Sequence, residues 1–160
     1  MLKLYKEIDN QLFYWETWDN DEKTATIHWG KVGEKGQDKE VKNGLFSNFR
    51  KVIQKEIDAK LKEGYAEIDE ENLSFLEVEY IIGGMGTEKD LEKRHLVENE
   101  LNEILGWTGL GSVDGGSIGS GTMEVGCLVV DFEIAKKIIE KKFENTEFGD
   151  FSRIFEMEND

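Results

Sequence analysis

Residues 24–36 read Thr-Ala-Thr-Ile-His-Trp-Gly-Lys-Val-Gly-Glu-Lys-Gly, a β-branched run that gives way to three evenly spaced glycines. The β-branched part is typical of a strand. The glycines predict a tight, irregular loop in which the backbone takes positive φ or approaches another group closely. Residues 11–18 are rich in aromatic side chains and alternate, and Asp19-Asn20-Asp21 marks a turn between the two segments. The two segments together predict an antiparallel hairpin.

The glycine loop lacks the features of a nucleotide-binding loop. No Gly-Lys-Ser/Thr closes it, and its glycine spacing is not that of a dinucleotide-binding fingerprint. Beyond it, apolar residues recur at helical spacing and predict a helix over 45–61. Asn43-Gly44 offers a start for this helix, and Gly64 offers a stop behind Lys60 and Lys62. The inward-facing residues predicted for the helix are Leu45, Phe46, Phe49, Val52, Ile53, Ile57 and Leu61.

The motifs of residues 3–66, taken in their order along the chain, resemble those of the WGR domain, which is named for a Trp-Gly-Arg triplet. The resemblance is carried by Phe13-Tyr14-Trp15-Glu16, Trp29-Gly30-Lys31-Val32-Gly33, Gly36-Gln37, Phe49 and Lys60-Leu61-Lys62-Glu63-Gly64-Tyr65. The family occurs in bacterial proteins and in DNA-dependent poly(ADP-ribose) polymerases. The resemblance implies a small antiparallel sheet with a packed helix, and contact with the end of a DNA duplex.

The resemblance also implies a site. Trp29 matches the tryptophan that packs against the sugar-phosphate terminus, and Lys31 stands at the arginine position. Lysine keeps the charge but loses the planar five-donor fork of arginine, so bidentate or stacked contacts are not preserved. Within residues 28–42, the predicted nucleic-acid-binding residues are Trp29, Gly30, Lys31, Lys35, Gln37 and Lys39.

Each of these residues also has a structural explanation. Trp29 is equally well explained as a core aromatic side chain of a strand. Residues 31–62 hold nine basic and five acidic side chains, which a solvated helix face would explain as well as an interface. His28 is interpreted as a strand residue, since no second histidine or cysteine lies nearby at metal-ligand spacing.

The net charge is unevenly distributed along the chain. The 160 residues include 35 acidic and 20 basic side chains, a formal charge of −15 that by itself argues against nucleic acid as a partner. Residues 1–66 are neutral, and residues 67–160 carry the whole excess. The acidic run at 67–72 predicts a boundary between a WGR-like domain at 1–66 and an acidic domain at 73–160; a surface loop within one domain is the alternative.

The second half predicts the element order βαββαβ. Residues 73–82 alternate as a strand, and Thr87 with Asp90 resembles a capping box that opens a helix ending at Leu105. Strands are expected around 109–114 and 122–130. Asp131 then caps a second helix, and the last strand lies at 153–157. The order implies a ferredoxin-like sandwich, so the whole chain is predicted to be α+β, with a WGR-like sheet and helix followed by this sandwich.

Two features of the second half could be read as sites. The glycine-rich run 109–121 is interpreted as a flexible or bulged hairpin rather than a ligand loop, since Asp114 is its only charged residue. Cys127 shares a strand face with Met123, Val125 and Val129 and is interpreted as a buried thiol rather than a nucleophile. Residues 101–131 resemble a small acidic α+β domain of bacterial proteins, some of them proposed as immunity-type partners.

The sequence therefore predicts a binding protein and not an enzyme. It holds no Ser-His-Asp arrangement and no metal-ligand cluster, and neither a metal nor a cofactor is expected. Its first residues lack the apolar run of a signal peptide, so a cytoplasmic location without membrane association is expected. The leading hypothesis is a non-enzymatic bacterial-type protein whose WGR-like module docks DNA ends, single strands or a partner protein. The alternative is an immunity- or antitoxin-type protein whose acidic domain neutralises a basic partner.

Overall fold

A computed structural model describes residues 1–158 and divides the chain into two compact units, Met1–Ile68 and a second unit that begins at Asp69. The first unit contains strands β1 (Leu2–Ile8), β2 (Gln11–Asp19), β3 (Thr24–Lys31) and β4 (Gln37–Lys42), and helix α1 (Phe49–Lys62). The second contains a 3₁₀ turn (Glu70–Asn72), strands β5 (Ser74–Ile81), β6 (Gly111–Gly119), β7 (Thr122–Val129) and β8 (Arg153–Met157), and helices α2 (Glu88–Gly106) and α3 (Phe132–Phe143). The predicted α+β class is confirmed.

The first unit is an antiparallel meander with the strand order β1-β2-β3-β4. Its central pair, β2 and β3, is the hairpin predicted from the sequence. The outer strands were not predicted. β4 is strongly polar and exposed along most of its length, so it lacks the apolar alternation by which a strand is recognised.

Helix α1 packs on one face of this sheet. The alternating residues of β3 that face the helix are Ala25 and Ile27, and Trp29 follows on the same face, partly buried against the core. The core therefore buries part of the Trp29 side chain and leaves the rest exposed. The buried residues of this core are Leu4, Trp15, Ala25, Ile27, Phe49 and Ile53.

The predicted start of α1 was wrong. The helix begins at Phe49 because the side chain of Asn48 caps it, accepting a hydrogen bond from the Arg50 amide at 2.8 Å. The side chain of Asn43 accepts the Phe49 amide at 2.9 Å, which satisfies a second free N–H group of the first turn. Leu45 and Phe46, predicted to face inward from the helix, lie instead in the preceding loop and are exposed.

The second unit has the strand order β6-β7-β5-β8 with all neighbours antiparallel. This is the split βαβ arrangement expected from the sequence. Thr87 and Asp90 form the predicted capping box of α2, and Asp131 caps α3 by accepting the Ile134 amide at 2.8 Å. Both helices pack against the sheet face that buries Leu76, Val78, Tyr80, Met123 and Val125.

The glycine-rich run is a bulged hairpin, as predicted. β6 and β7 pair along their length with a register shift between Val113 and Gly115, and the chain turns at Ser120 and Gly121. Cys127 is fully buried on β7, and burial raises the pKa of its thiol to about 12, with a further contribution from Asp114. A buried thiol with this pKa fits the structural interpretation rather than that of a nucleophile.

Candidate nucleic-acid interface

Four of the six predicted site residues lie on one face of the first sheet. Trp29 on β3 is paired in register with Gln37 on β4, and Ile27 is paired with Lys39. Since side chains two residues apart on a strand share a face, Lys31, Gln37 and Lys39 lie on the Trp29 side of the sheet. This is also the face that α1 covers further along the strands. We call Trp29, Lys31, Gln37 and Lys39 the triplet face.

Gly30, the middle residue of the triplet, has a different role. It lies opposite Tyr14 on β2, on the other side of the sheet. A Cβ atom at Gly30 would lie 2.8 Å from the Cα of Gly36 and 3.0 Å from the Tyr14 hydroxyl oxygen. The first distance is shorter than real Cβ contacts and the second is tight, so a glycine is favoured where the return loop crosses the strand. The residue therefore makes room for the loop and contributes no side chain to a ligand.

The return loop, residues 32–36, folds back over Tyr14. Gly36 has a φ of +68°, and a Cβ atom there would lie 2.2 Å from the Trp29 carbonyl oxygen. Lys35, the fifth predicted site residue, lies in this loop with an exposed side chain. Its backbone carbonyl points inward and accepts hydrogen bonds from the buried groups beneath. Lys35 therefore belongs to the loop and not to the triplet face.

A buried polar network holds the loop in place. The Tyr14 hydroxyl lies 2.9 Å from the carbonyl oxygens of both Glu34 and Lys35 and donates its hydrogen to this pair. His28 places Nε2 at 2.5 Å from the Lys35 carbonyl and Nδ1 at 2.7 Å from Glu16 Oε1. Each ring nitrogen of His28 thus faces a hydrogen-bond acceptor, and Nε2 also lies 3.0 Å from the Tyr14 hydroxyl oxygen.

The surroundings of the network keep its tyrosine protonated. Burial raises the pKa of Tyr14, and the negative charges of Glu16 and Glu34 raise it further. The phenol is thus held as a hydrogen-bond donor at any physiological pH. The Tyr14 hydroxyl donates to the loop carbonyls, and the buried His28 and Glu16 side chains hold the same loop from below. The return loop is therefore rigid where it follows the triplet.

This network was not predicted from the sequence as a unit. His28 was predicted to be a strand residue, which the structure confirms, but its contacts with Glu16 and Tyr14 were not predicted. A signal was available, because Glu16 and His28 stand at equal distances from the turn of the β2–β3 hairpin. Residues at equal distances from a symmetric turn face each other across the strands.

The charge of the triplet face is small. The Lys39 ammonium lies 2.7 Å from Glu56 Oε1 on α1 and 5.9 Å from the centroid of the Trp29 ring. Glu56 therefore offsets the charge of Lys39. Lys31 forms no ion pair within residues 1–158, and its ammonium is the cation of this face that no carboxylate offsets.

The basic stretch 31–62 is largely balanced by carboxylates. Ion pairs join Lys42 to Glu40, Arg50 to Asp19 and Lys60 to Glu63. Among the described residues, Lys51, Lys55 and Lys62 on α1 have no ion-pair partner. The uncompensated positive charge of this stretch therefore lies on α1 as much as on the triplet.

Two further observations concern other kinds of site. No cluster of three or more His, Cys, Asp or Glu side chains suited to a metal ion is present in residues 1–158. In the same part of the chain, no helix combines the length and apolar character needed to cross a membrane.

The first unit is thus a four-stranded meander with one packed helix. Its Trp-Gly-Lys triplet lies at the end of β3, directly before the return loop. The family model of the WGR domain matches residues 4–72, so this part of the chain is a WGR domain, as the sequence motifs predicted. The WGR domain is a module associated with nucleic-acid binding. No curated protein and no solved structure matches the chain.

Proposed function

We propose that this protein is a non-enzymatic nucleic-acid-binding protein that docks DNA ends or single strands through the triplet face of its WGR domain. The observation that carries the proposal is the family match over residues 4–72, with the triplet tryptophan and its neighbouring cation on one sheet face. In this proposal the exposed part of the Trp29 indole packs against a sugar or base, and Lys31 contacts a phosphate as a point charge.

The anchored loop supports this role. A binding residue that is already in position loses less conformational entropy when its ligand arrives. The buried bonds from Tyr14 and His28 to the Lys35 carbonyl hold the loop that follows the triplet, so Lys31 and Lys35 are presented on a fixed backbone. Gln37, exposed at the start of β4, adds an amide that can bond to a base or phosphate.

The charge balance predicts a weak and only moderately salt-dependent complex. With Lys39 offset by Glu56, the cation that the triplet face offers to a phosphate is that of Lys31. This one contact contributes about −0.7 to the slope of log K against log salt for a single strand and about −0.9 for a duplex. We therefore expect the contribution of this face to weaken by about two- to threefold for a threefold rise in salt concentration.

The test is fluorescence anisotropy with a labelled blunt duplex and a labelled single strand of the same length. Lys31→Gln should weaken binding, and Lys31→Arg should restore or strengthen it, because arginine adds a planar fork. Trp29→Phe keeps an aromatic side chain against the core while reducing the contact area. Lys62→Gln, at the far end of α1, is the matched control for the loss of one exposed lysine.

The outcomes separate this proposal from the acidic alternative. Absence of binding to either oligonucleotide at low salt would refute the proposal. An equal effect of Lys31→Gln and Lys62→Gln would show that only general charge is involved and would refute the triplet site. Capture of a basic protein by the full chain, without nucleic acid, would favour the immunity-type alternative.

A further inference from the structure

The loop between β4 and α1 exposes two large apolar side chains. Leu45 and Phe46 show 97% and 103% of their reference accessible areas, so neither contributes to the core. Aromatic and large aliphatic side chains that stand fully in water at one loop tip are typical of a contact surface rather than of scattered surface residues. The WGR domain match covers this loop, but the loop contains no residue of the triplet or of the return loop.

The loop has a defined shape. Asn43 at its start accepts the Phe49 amide, and Asn48 at its end accepts the Arg50 amide. Inside it, the Gly44 amide donates to the Ser47 carbonyl at 2.9 Å. These bonds tie both ends of the loop to the first turn of α1, and therefore present Leu45 and Phe46 at a fixed place.

A positively charged groove lies beside the two side chains. It has a volume of about 630 Å³, and Lys51 and Lys55 line it, one helical turn apart on α1. Both lysines are exposed and form no ion pair within residues 1–158, and the first turn of α1 contains no acidic residue. The positive end of the helix dipole is thus not offset there. We call Leu45, Phe46, Lys51 and Lys55 the loop patch.

The partner that fits this surface is anionic and offers flat apolar faces. Nucleic-acid bases stack on exposed aromatic side chains, while lysines follow the phosphates. The neighbouring β2–β3 turn is acidic, with Asp21 and Glu22 exposed, and the Asn43 amide bonds to the Lys23 carbonyl of this turn. A broad anionic bilayer resting on the patch would meet these carboxylates, whereas a single strand can follow the groove on the lysine side.

We propose that the loop patch is a second contact surface of the domain, one that binds single-stranded nucleic acid. Phe46 stacks on an unpaired base with Leu45 packed beside it, and Lys51 and Lys55 contact the adjoining phosphates. The proposal rests on the proposed nucleic-acid-binding function but uses none of the residues of the triplet face. It assigns contact with unpaired strands to a loop outside the triplet face.

The experiment measures the affinity of the full chain for a labelled oligothymidylate of about 20 nucleotides and for a blunt duplex of the same length. Phe46→Ala should weaken binding to the single strand at least about fivefold, as expected for the loss of one stacked base, and should affect the duplex less. Phe46→Trp should retain binding, because it keeps the stacking surface. The combined change Lys51→Gln and Lys55→Gln should reduce the salt slope by about 1.4.

Folding does not confound these variants. Phe46 is fully exposed, so its replacement should leave the unfolding midpoint unchanged. Met85→Ala, at a loop residue of the second unit that is 76% exposed, is the matched control for loss of an exposed apolar side chain. Lys62→Gln serves as the control for loss of a lysine from α1. Both controls should bind like the unmodified protein.

The results distinguish this inference from the proposed function. If Lys31→Gln weakens binding but the loop variants do not, the loop patch is refuted and the triplet site stands. If Phe46→Ala weakens single-strand binding while Lys31→Gln has no effect, the loop patch stands and the triplet site is refuted. A patch that instead mediates self-association, or binds phosphatidylserine vesicles but no oligonucleotide, would overturn the inference.

Discussion

Replacement of Gly30 by alanine tests whether the middle residue of the triplet serves the loop rather than the ligand. The added Cβ atom would lie 2.8 Å from the Cα of Gly36 and 3.2 Å from the Tyr14 ring carbon Cζ. Real Cβ atoms essentially never approach a backbone carbon this closely, and the Gly36 Cα can move only with the whole return loop. Overpacking of this kind lowers the free energy of unfolding by about 1–3 kcal/mol.

The assay is urea unfolding followed by tryptophan fluorescence. Three of the four tryptophans, Trp15, Trp18 and Trp29, belong to the first unit, so the signal reports mainly on its unfolding. A unit of this size has an m-value of about 1 kcal/mol per molar urea, at the low end of the usual range. The midpoint of Gly30→Ala should therefore fall by about 1–3 M.

Two matched glycines provide the comparison. A Cβ atom at Gly83, in the second unit, meets no atom within 4 Å, so Gly83→Ala should leave this midpoint unchanged. Gly36 combines a φ of +68° with a 2.2 Å approach to the Trp29 carbonyl oxygen, so Gly36→Ala should destabilise at least as much as Gly30→Ala. A Gly30→Ala protein as stable as Gly83→Ala would refute this account of the triplet glycine.

Three further predictions follow from buried and half-buried groups. Tyr14→Phe removes the hydroxyl beneath two loop carbonyls and should lower the free energy of unfolding by about 1–2 kcal/mol, with faster amide exchange confined to residues 32–36. Unchanged exchange in that loop would contradict the anchoring role. Cys127, with its thiol pKa raised to about 12, should react with a disulfide reagent at pH 8 about a thousandfold more slowly than a free thiol, until urea unfolds the protein. A rapid reaction of the native protein would show that the thiol is accessible. Burial, with the charges of Glu124 and Glu79, raises the pKa of Glu77, so folding holds its proton more tightly and the ionised side chain destabilises the protein at neutral pH. Glu77→Gln should therefore raise the melting temperature at pH 7, and the gain should disappear as the pH falls below about 4; an equal gain at both pH values would contradict the assignment.

Features encoded by local spacing were predictable. The β2–β3 hairpin follows from two alternating segments around an Asp-Asn-Asp turn, and the caps of α2 and α3 follow from Thr87 and Asp131 standing directly before helical patterns. In the second unit the order of the elements was sufficient for the sheet order, because few topologies satisfy the rules of short, right-handed connections. The WGR motifs also needed only the residues and their order.

Features that depend on distant residues were not predictable in the same way. The apolar periodicity of α1 extends to Leu45 and Phe46, which are not helical. The side chains of Asn43 and Asn48 accept the amides of the first turn and so fix the start of the helix at Phe49. Lys39 and Glu56 are 17 positions apart, and no local pattern shows that the ion pair removes a cation from the predicted site. The sequence therefore indicated which residue types carry the charge, but not which charges remain uncompensated.

The α+β class, the WGR motifs and the unequal distribution of charge follow from the amino-acid sequence, because composition, periodicity and motif order are properties of the chain alone. The role of Gly30 in making room for a loop, and the anchoring of that loop by Tyr14, His28 and Glu16, became visible in the folded structure. The tertiary structure likewise decided that the predicted helix leaves two apolar side chains in water beside two lysines. Strand register, close contacts and ion pairs arise between residues far apart in the chain, and folding alone brings those residues together.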